Sequence, residues 1–149
     1  PIFLSYIFSF IYIGIYWNNH HHLFQITQKV NGKILWANLH LLFWLSLIPF
    51  TTAWIGVAFN EIPPVMAYGL VLLFCAIAYF ILQAQIIKSH DDKFALRKAI
   101  GSDLKGKISI VCYSLGVVST FLNTWISVAL YVIVAIMWLM PDKRIEESL

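Results

Sequence analysis

The sequence has very little charge. Asp, Glu, Lys and Arg make up 11% of its 149 residues, against about 25% in soluble domains. A soluble fold so poor in charge could not cover its surface. Acids number only seven, and no two of them pair inside an apolar run, which argues against carboxylate-driven pumping or hydrolysis at depth. Cysteine is scarce as well. Cys75 and Cys112 both lie within apolar runs, so they form no disulfide framework and read as small packing groups rather than reactive thiols. There is no phosphate-cradling glycine loop, no nucleophile elbow, no His-Glu-x-x-His and no Thr-Val-Gly-Tyr-Gly filter. Nothing in the residues points to an enzyme.

Apolar residues are abundant, at 60% of the chain. A helix that crosses a bilayer needs about 20 of them in a row. Residues 2–24, 34–59 and 63–87 each supply such a run, and Pro63-Pro64 suits a helix start. The run from Ile108 to Met140 carries no charge at all. As one helix it would reach about 50 Å at 1.5 Å per residue, far beyond a hydrocarbon core of about 30 Å. Asn123-Thr124 offers a tight turn in its middle. Two shorter helices, near 108–121 and 125–140, are the expected reading. The fold class is therefore all-α: one polytopic transmembrane helix bundle over residues 1–149 with five spans.

Charge sorts these spans by side. Under alternating topology, segments 25–33 and 88–107 and the C-terminal tail share one face. They hold Lys29, Lys33, Lys88, Lys93, Arg97, Lys98, Lys105, Lys107, Lys143 and Arg144, which are all ten basic residues. The other face has only Glu61. The positive-inside rule makes the basic face cytoplasmic. It also explains the formal charge of +3 without any nucleic-acid partner. Trp36 and Trp138 then fall near the inner interface, Trp54 and Trp125 near the outer one. They form an aromatic belt or simply pack. Residue 1 falls outside, which leads us to expect an additional outward-running helix upstream and six spans in all. Within 88–107, Ser89 to Ile100 has the spacing of a short amphipathic cytoplasmic helix. Its charges read as a solvated face or a lipid-headgroup or regulatory site.

Polar groups at membrane depth are costly. Trp17, His20, His21 and Phe24 share one helical stripe at i, i+3, i+4, i+7 spacing. Asn38 and His40 on the next span lie at similar depth. Trp17, His20 and Asn38 could hydrogen-bond to a partner helix; such bonds are worth about 0.6 kcal/mol on average. Ion or proton movement and metal or haem ligation stay open. Three consecutive histidines cannot converge on one metal, because neighbouring helical positions point about 100° apart. His21 with His40 is the better haem pair, and a bis-histidine redox protein is the alternative it implies. Pro49, followed by Phe50-Thr51-Thr52, should kink its helix, for packing or as a gating hinge. Cys112, Gly116 and Thr120 make a small-xxx-small ladder for helix contact, within or between subunits.

Tyr16-Trp17, His20-His21 and Leu23-Phe24, with Leu35-Trp36-Ala37-Asn38-Leu39 and Leu47-Ile48-Pro49-Phe50-Thr51-Thr52, resemble the lysosomal potassium channel family and its prokaryotic relatives. The resemblance is specific over residues 6–59. It implies six helices per chain and a homotetramer around a central pore in a prokaryotic plasma membrane. It implies passive potassium conduction with no cofactor. The family's pore is lined by its first helix, which carries Arg-x-x-x-Phe-Ser-Asp and a hydrophobic constriction. No such motif occurs in this sequence, so the pore filter cannot be assigned to its residues. The family role of hydrogen-bonding to that helix would fall to Trp17, His20 and Asn38. A non-conducting assembly subunit and a transporter are the further alternatives.

Overall fold

The computed structural model describes residues 2–90 and 103–140, and no strand occurs among them. Among the described residues six helices follow one another: α1 (Ile2–Gln25), α2 (Gly32–Ser46), α3 (Ile48–Val57), α4 (Ile62–Lys88), α5 (Leu104–Ser119) and α6 (Thr124–Leu139). The described part of the chain is all-α, as its long apolar runs lead one to expect. The segment Gly32–Val57, which joins α2 and α3, and the helix α4 are long and apolar enough to cross a membrane. α6 is apolar but shorter.

Local chemistry sets the helix ends. Asn31 caps α2 by accepting from the Ile34 N–H at 3.1 Å. Prolines open α4, where a missing N–H leaves nothing unpaired. Asn123 caps α6 by accepting from the Trp125 N–H at 2.9 Å. The long uncharged run therefore breaks at that turn into α5 and α6. α5 starts at Leu104, four residues before the apolar run begins, because Asp103 caps it and accepts from the Gly106 N–H at 3.2 Å. Lys105 and Lys107 thus belong to a helix start rather than a loop.

Leu47 ends α2 and begins α3. Pro49, just inside α3, has no N–H to continue the ladder. Two threonines serve the carbonyls around the break. Thr51 Oγ1 donates to Leu47 O at 3.1 Å, and Thr52 Oγ1 donates to Ile48 O at 2.7 Å. Both side chains are buried.

α4 is the central element and packs against α2, α3, α5 and α6. α1 lies against α3 and touches α6. Leu72, Leu82 and Ile86 of α4 and Ile34 and Leu41 of α2 have no exposed surface. Lipid tails are as apolar as leucine, so in a bilayer such burial stabilises through close packing rather than escape from water. Packing is close at Tyr131. Its side chain lies between Gly69 of α4 and Gly116 of α5, and a Cβ at either glycine would run into it.

Hydrogen bonds define the two ends of the bundle. The Gln28 and Lys29 N–H groups both donate to His90 Nε2, at 3.1 and 3.2 Å, and Asn31 Nδ2 donates to Ser89 Oγ at 2.9 Å. Gln83 Nε2 donates to Asp103 Oδ2 at 3.2 Å, and Lys105 Nζ to Met140 O at 2.9 Å. These contacts gather the α1–α2 turn, the end of α4, the start of α5 and the end of α6 at one pole. Lys29, Lys33, Lys88, Lys105 and Lys107 all lie there. At the opposite pole Thr124 Oγ1 donates to Asn60 Oδ1 at 3.1 Å, Phe59 meets Trp125 edge-on at 4.8 Å, and Glu61 is exposed. The expected amphipathic helix at 89–100 extends, from residue 91 on, outside the described residues. Lys93, Arg97, Lys98, Lys143 and Arg144 lie outside them as well.

Candidate functional site

The polar stripe of α1 divides into two rows. Trp17 and His21 are exposed and stack with ring centres 5.3 Å apart. His20 and Phe24 are partly buried, with ring centres 4.6 Å apart. His20 Nε2 donates to Asn38 Oδ1 on α2 at 2.6 Å. Sequence distance alone places these two at one depth, and the structure joins them directly. Asn38 Nδ2 and the Trp17 indole N–H have no hydrogen-bond partner among the described residues. The α1–α2 edge therefore presents two unused donors beside a fixed histidine–amide bond.

The histidine pair weighed for haem is engaged elsewhere. His21 stacks on Trp17, and His40 Nε2 accepts from the Trp44 indole N–H at 2.9 Å. No group of three metal-ligating side chains comes together among the described residues. Gly116 of the small-residue ladder meets Tyr131 of α6, so its close contact is made within the chain. Thr120 is buried and donates to Val117 O at 2.7 Å, while Cys112 is partly buried.

A second polar cluster escapes the sequence pattern. Tyr12 of α1 and Tyr113 of α5 share a hydrogen bond of 2.6 Å between their hydroxyls. Tyr68 of α4 meets Tyr12 edge-on at 6.1 Å and Tyr131 at 5.7 Å. Tyr16 meets Tyr79 of α4 at 6.3 Å, and Tyr79 donates from its hydroxyl to Asn19 O at 3.2 Å. These tyrosines tie α1 to α4, α5 and α6. Tyr12 and Tyr16, one turn apart on α1, stack at 6.4 Å, but no local spacing announces their partners on the other helices.

Tyr12→Phe tests the tie. It leaves the ring and takes away the shared proton bridge, stranding the Tyr113 hydroxyl. A loss of about 1–3 kcal/mol is expected for a buried group left unpaired. Tyr12→Phe with Tyr113→Phe together should recover part of it, and thermal melts of the four-member cycle read the difference.

A cavity of about 30 Å³ opens beneath this cluster, in the half of the bundle that carries the lysines. Tyr12, Tyr16, Asn19, Tyr79, Asp103 and Trp138 are among its walls. Trp138 donates from its indole N–H to Ser109 Oγ at 2.7 Å, and the Lys105 ammonium sits 5.4 Å from its ring centre.

Residues 1–49, which contain both rows of the stripe and Asn38, match the family model of the endosomal/lysosomal potassium channel TMEM175. The whole chain is 56% identical to a potassium channel of a Chryseobacterium species, over 78% of that protein's length. A potassium channel of Streptomyces collinus is 30% identical over 83 residues, which is 53% of this chain and 40% of the relative. No solved structure matches the chain.

Proposed function

The chain belongs to the potassium channel family of TMEM175, and on that premise we propose that it is one subunit of a homotetrameric, potassium-permeable pore in a prokaryotic plasma membrane. Conduction is passive. The basic pole, with segments 25–33 and 88–107 and the C-terminal tail, faces the cytoplasm. The pore is lined by the family's first helix, whose motif does not occur among these residues, and selectivity arises at an apolar constriction on it.

The observation that carries this reading is the α1–α2 edge. His20 and Asn38 lock the two helices at 2.6 Å. The remaining donors, Asn38 Nδ2 and the 63% exposed Trp17, suit a helix that offers acceptors, such as the serine and aspartate of the family's first-helix motif. Trp17, His20 and Asn38 position the pore helix and do not touch the ion. Two sites of the fold support the geometry from elsewhere. The Pro49 break lets α3 follow α1, and the Tyr131–Gly116 contact holds α6 to α5.

Liposome flux on the full-length protein tests the proposal. Potassium efflux down its gradient, with no nucleotide or counter-ion gradient added, is the expected result. Sealed liposomes that hold folded tetramer and pass no potassium would remove the channel reading and favour an assembly subunit. A colourless preparation removes haem.

A further inference from the structure

We propose that the cavity between α1, α4, α5 and α6 is a binding site for a small alkylammonium ion, separate from the conduction path. The inference does not rest on the channel reading.

Asn19 is only 5% exposed. Its Nδ2 donates to two carbonyls, Ile15 O at 2.9 Å and Trp138 O at 3.4 Å. Carbonyls only accept, so these bonds fix the amide orientation and leave Oδ1 as the unused end. No partner for Oδ1 exists among the described residues, although the residue lines the cavity. The Tyr16 hydroxyl, in the same wall, also has no hydrogen-bond partner among them. The remaining hydroxyl in that part of the wall is satisfied: Ser109 donates to Lys105 O at 2.8 Å and accepts from Trp138.

Asp103 supplies the charge. It accepts one bond on each oxygen, from the Gly106 N–H and from Gln83 Nε2, both at 3.2 Å. A carboxylate has about four acceptor sites, so half remain open, and no described cation pairs with it. Lys105, two residues on, is turned away to Met140 O. The backbone at Asp103 is also unusual. It caps α5 from the left-handed region, at φ 43°, where caps normally take an extended conformation. Gly106 is what allows this, because a Cβ there would run into the Asp103 carboxylate. Capping alone needs neither the second oxygen nor this conformation.

Among the described residues, the unused groups of the wall are therefore the acceptors on Asn19 and Asp103 and the Tyr16 hydroxyl, which can accept as well as donate, with one negative charge among aromatic rings. Tyr12, Tyr16 and Tyr79 line the cavity with aromatic rings, whose faces attract a cation, while the Trp138 ring already has the Lys105 ammonium 5.4 Å from its centre. A volume near 30 Å³ corresponds to about two water molecules, which limits the guest to a few heavy atoms. An ammonium group supplies three N–H donors, and one or two carbons contact the rings. Affinity for so small a ligand is millimolar at best.

Saturation-transfer NMR on the purified full-length protein in detergent, with methylammonium as the probe, tests the site. Saturating the aromatic protons should give a methyl signal with a Kd of order millimolar. Asp103→Asn should weaken binding about tenfold, and it is a clean change, because asparagine both caps helices and tolerates the left-handed region. Ala76→Phe, which fills the cavity from α4, should abolish the signal if the variant keeps its melting temperature. Tetramethylammonium, which has charge but no donor, should bind at least fivefold more weakly than methylammonium. Equal binding to wild type and Asp103→Asn would overturn the proposal, since any methylammonium then sits elsewhere, including the pore. A cavity that holds only water, with no methyl signal, overturns it as well. Neither result touches the flux assay, and a protein that passes no potassium would still be able to show the signal.

Discussion

Gly116→Leu is expected to prevent stable folding of the bundle or to lower its melting temperature by roughly 10 °C. The position sits under the Tyr131 ring, and even a methyl group there would collide with it. The ring cannot swing aside, because Gly69 of α4 holds its far end in the same way. Tyr131 is also 2% exposed, so no free space adjoins it. Overpacking of this kind costs about 1–3 kcal/mol, and more when the obstacle is rigid. For a chain of this size each kcal/mol corresponds to a few degrees. Gly32→Ala is the matched control. A Cβ there meets nothing within 4 Å, and alanine suits a helix better than glycine. Its melt should stay within a degree or two of wild type. If Gly116→Leu melts like the control, α6 does not pack on α5 as described.

Asn38→Ala is expected to reduce potassium flux in liposomes at least severalfold while leaving most of the subunit fold in place. The change removes the acceptor for His20 and a donor at the α1–α2 edge. Inside a bilayer no water replaces either partner, so His20 is left with an unpaired N–H at a cost of about 1–3 kcal/mol. The subunit core does not depend on this bond, since α2 packs on α4 through Ile34 and Leu41, which are wholly buried. The effect should therefore appear in tetramer stability and current more than in helix content. His20→Ala should act in the same direction. The double variant should lose less than the sum, because each single change already breaks the shared bond. Wild-type tetramer yield and wild-type flux in both single variants would show that the edge is incidental to conduction.

The helices are legible from the sequence because each apolar run is long, and its ends carry capping residues with direct local effects. Pro49 marks the α2–α3 break in the same way, since a missing N–H is a property of one residue. The His20–Asn38 meeting is partly legible: equal distance from a turn sets equal depth, though not which donors pair. The tyrosine cluster is not legible. Tyr12, Tyr68, Tyr113 and Tyr131 come together only through packing of four helices, and an isolated tyrosine in an apolar run carries no sign of its partner. Asp103 is hidden for a related reason. It sits at the edge of a charged segment, where a carboxylate reads as solvated, until the left-handed turn and Gln83 draw it inward. The stripe of α1 is legible as a stripe but not in its burial. Helical spacing groups Trp17 with His20, but a difference of one residue row puts one at the surface and the other against α2.

All five described lysines occupy a single pole. With that pole facing the cytoplasm, as proposed above, an inside-negative voltage would act on such a charge distribution as a clamp. Carrying one elementary charge across the membrane costs about 2.3 kcal/mol for every 100 mV, so turning the subunit over would require work against five of them. The field that sets the direction of any cation current thus also resists inversion of the protein through which the current would pass.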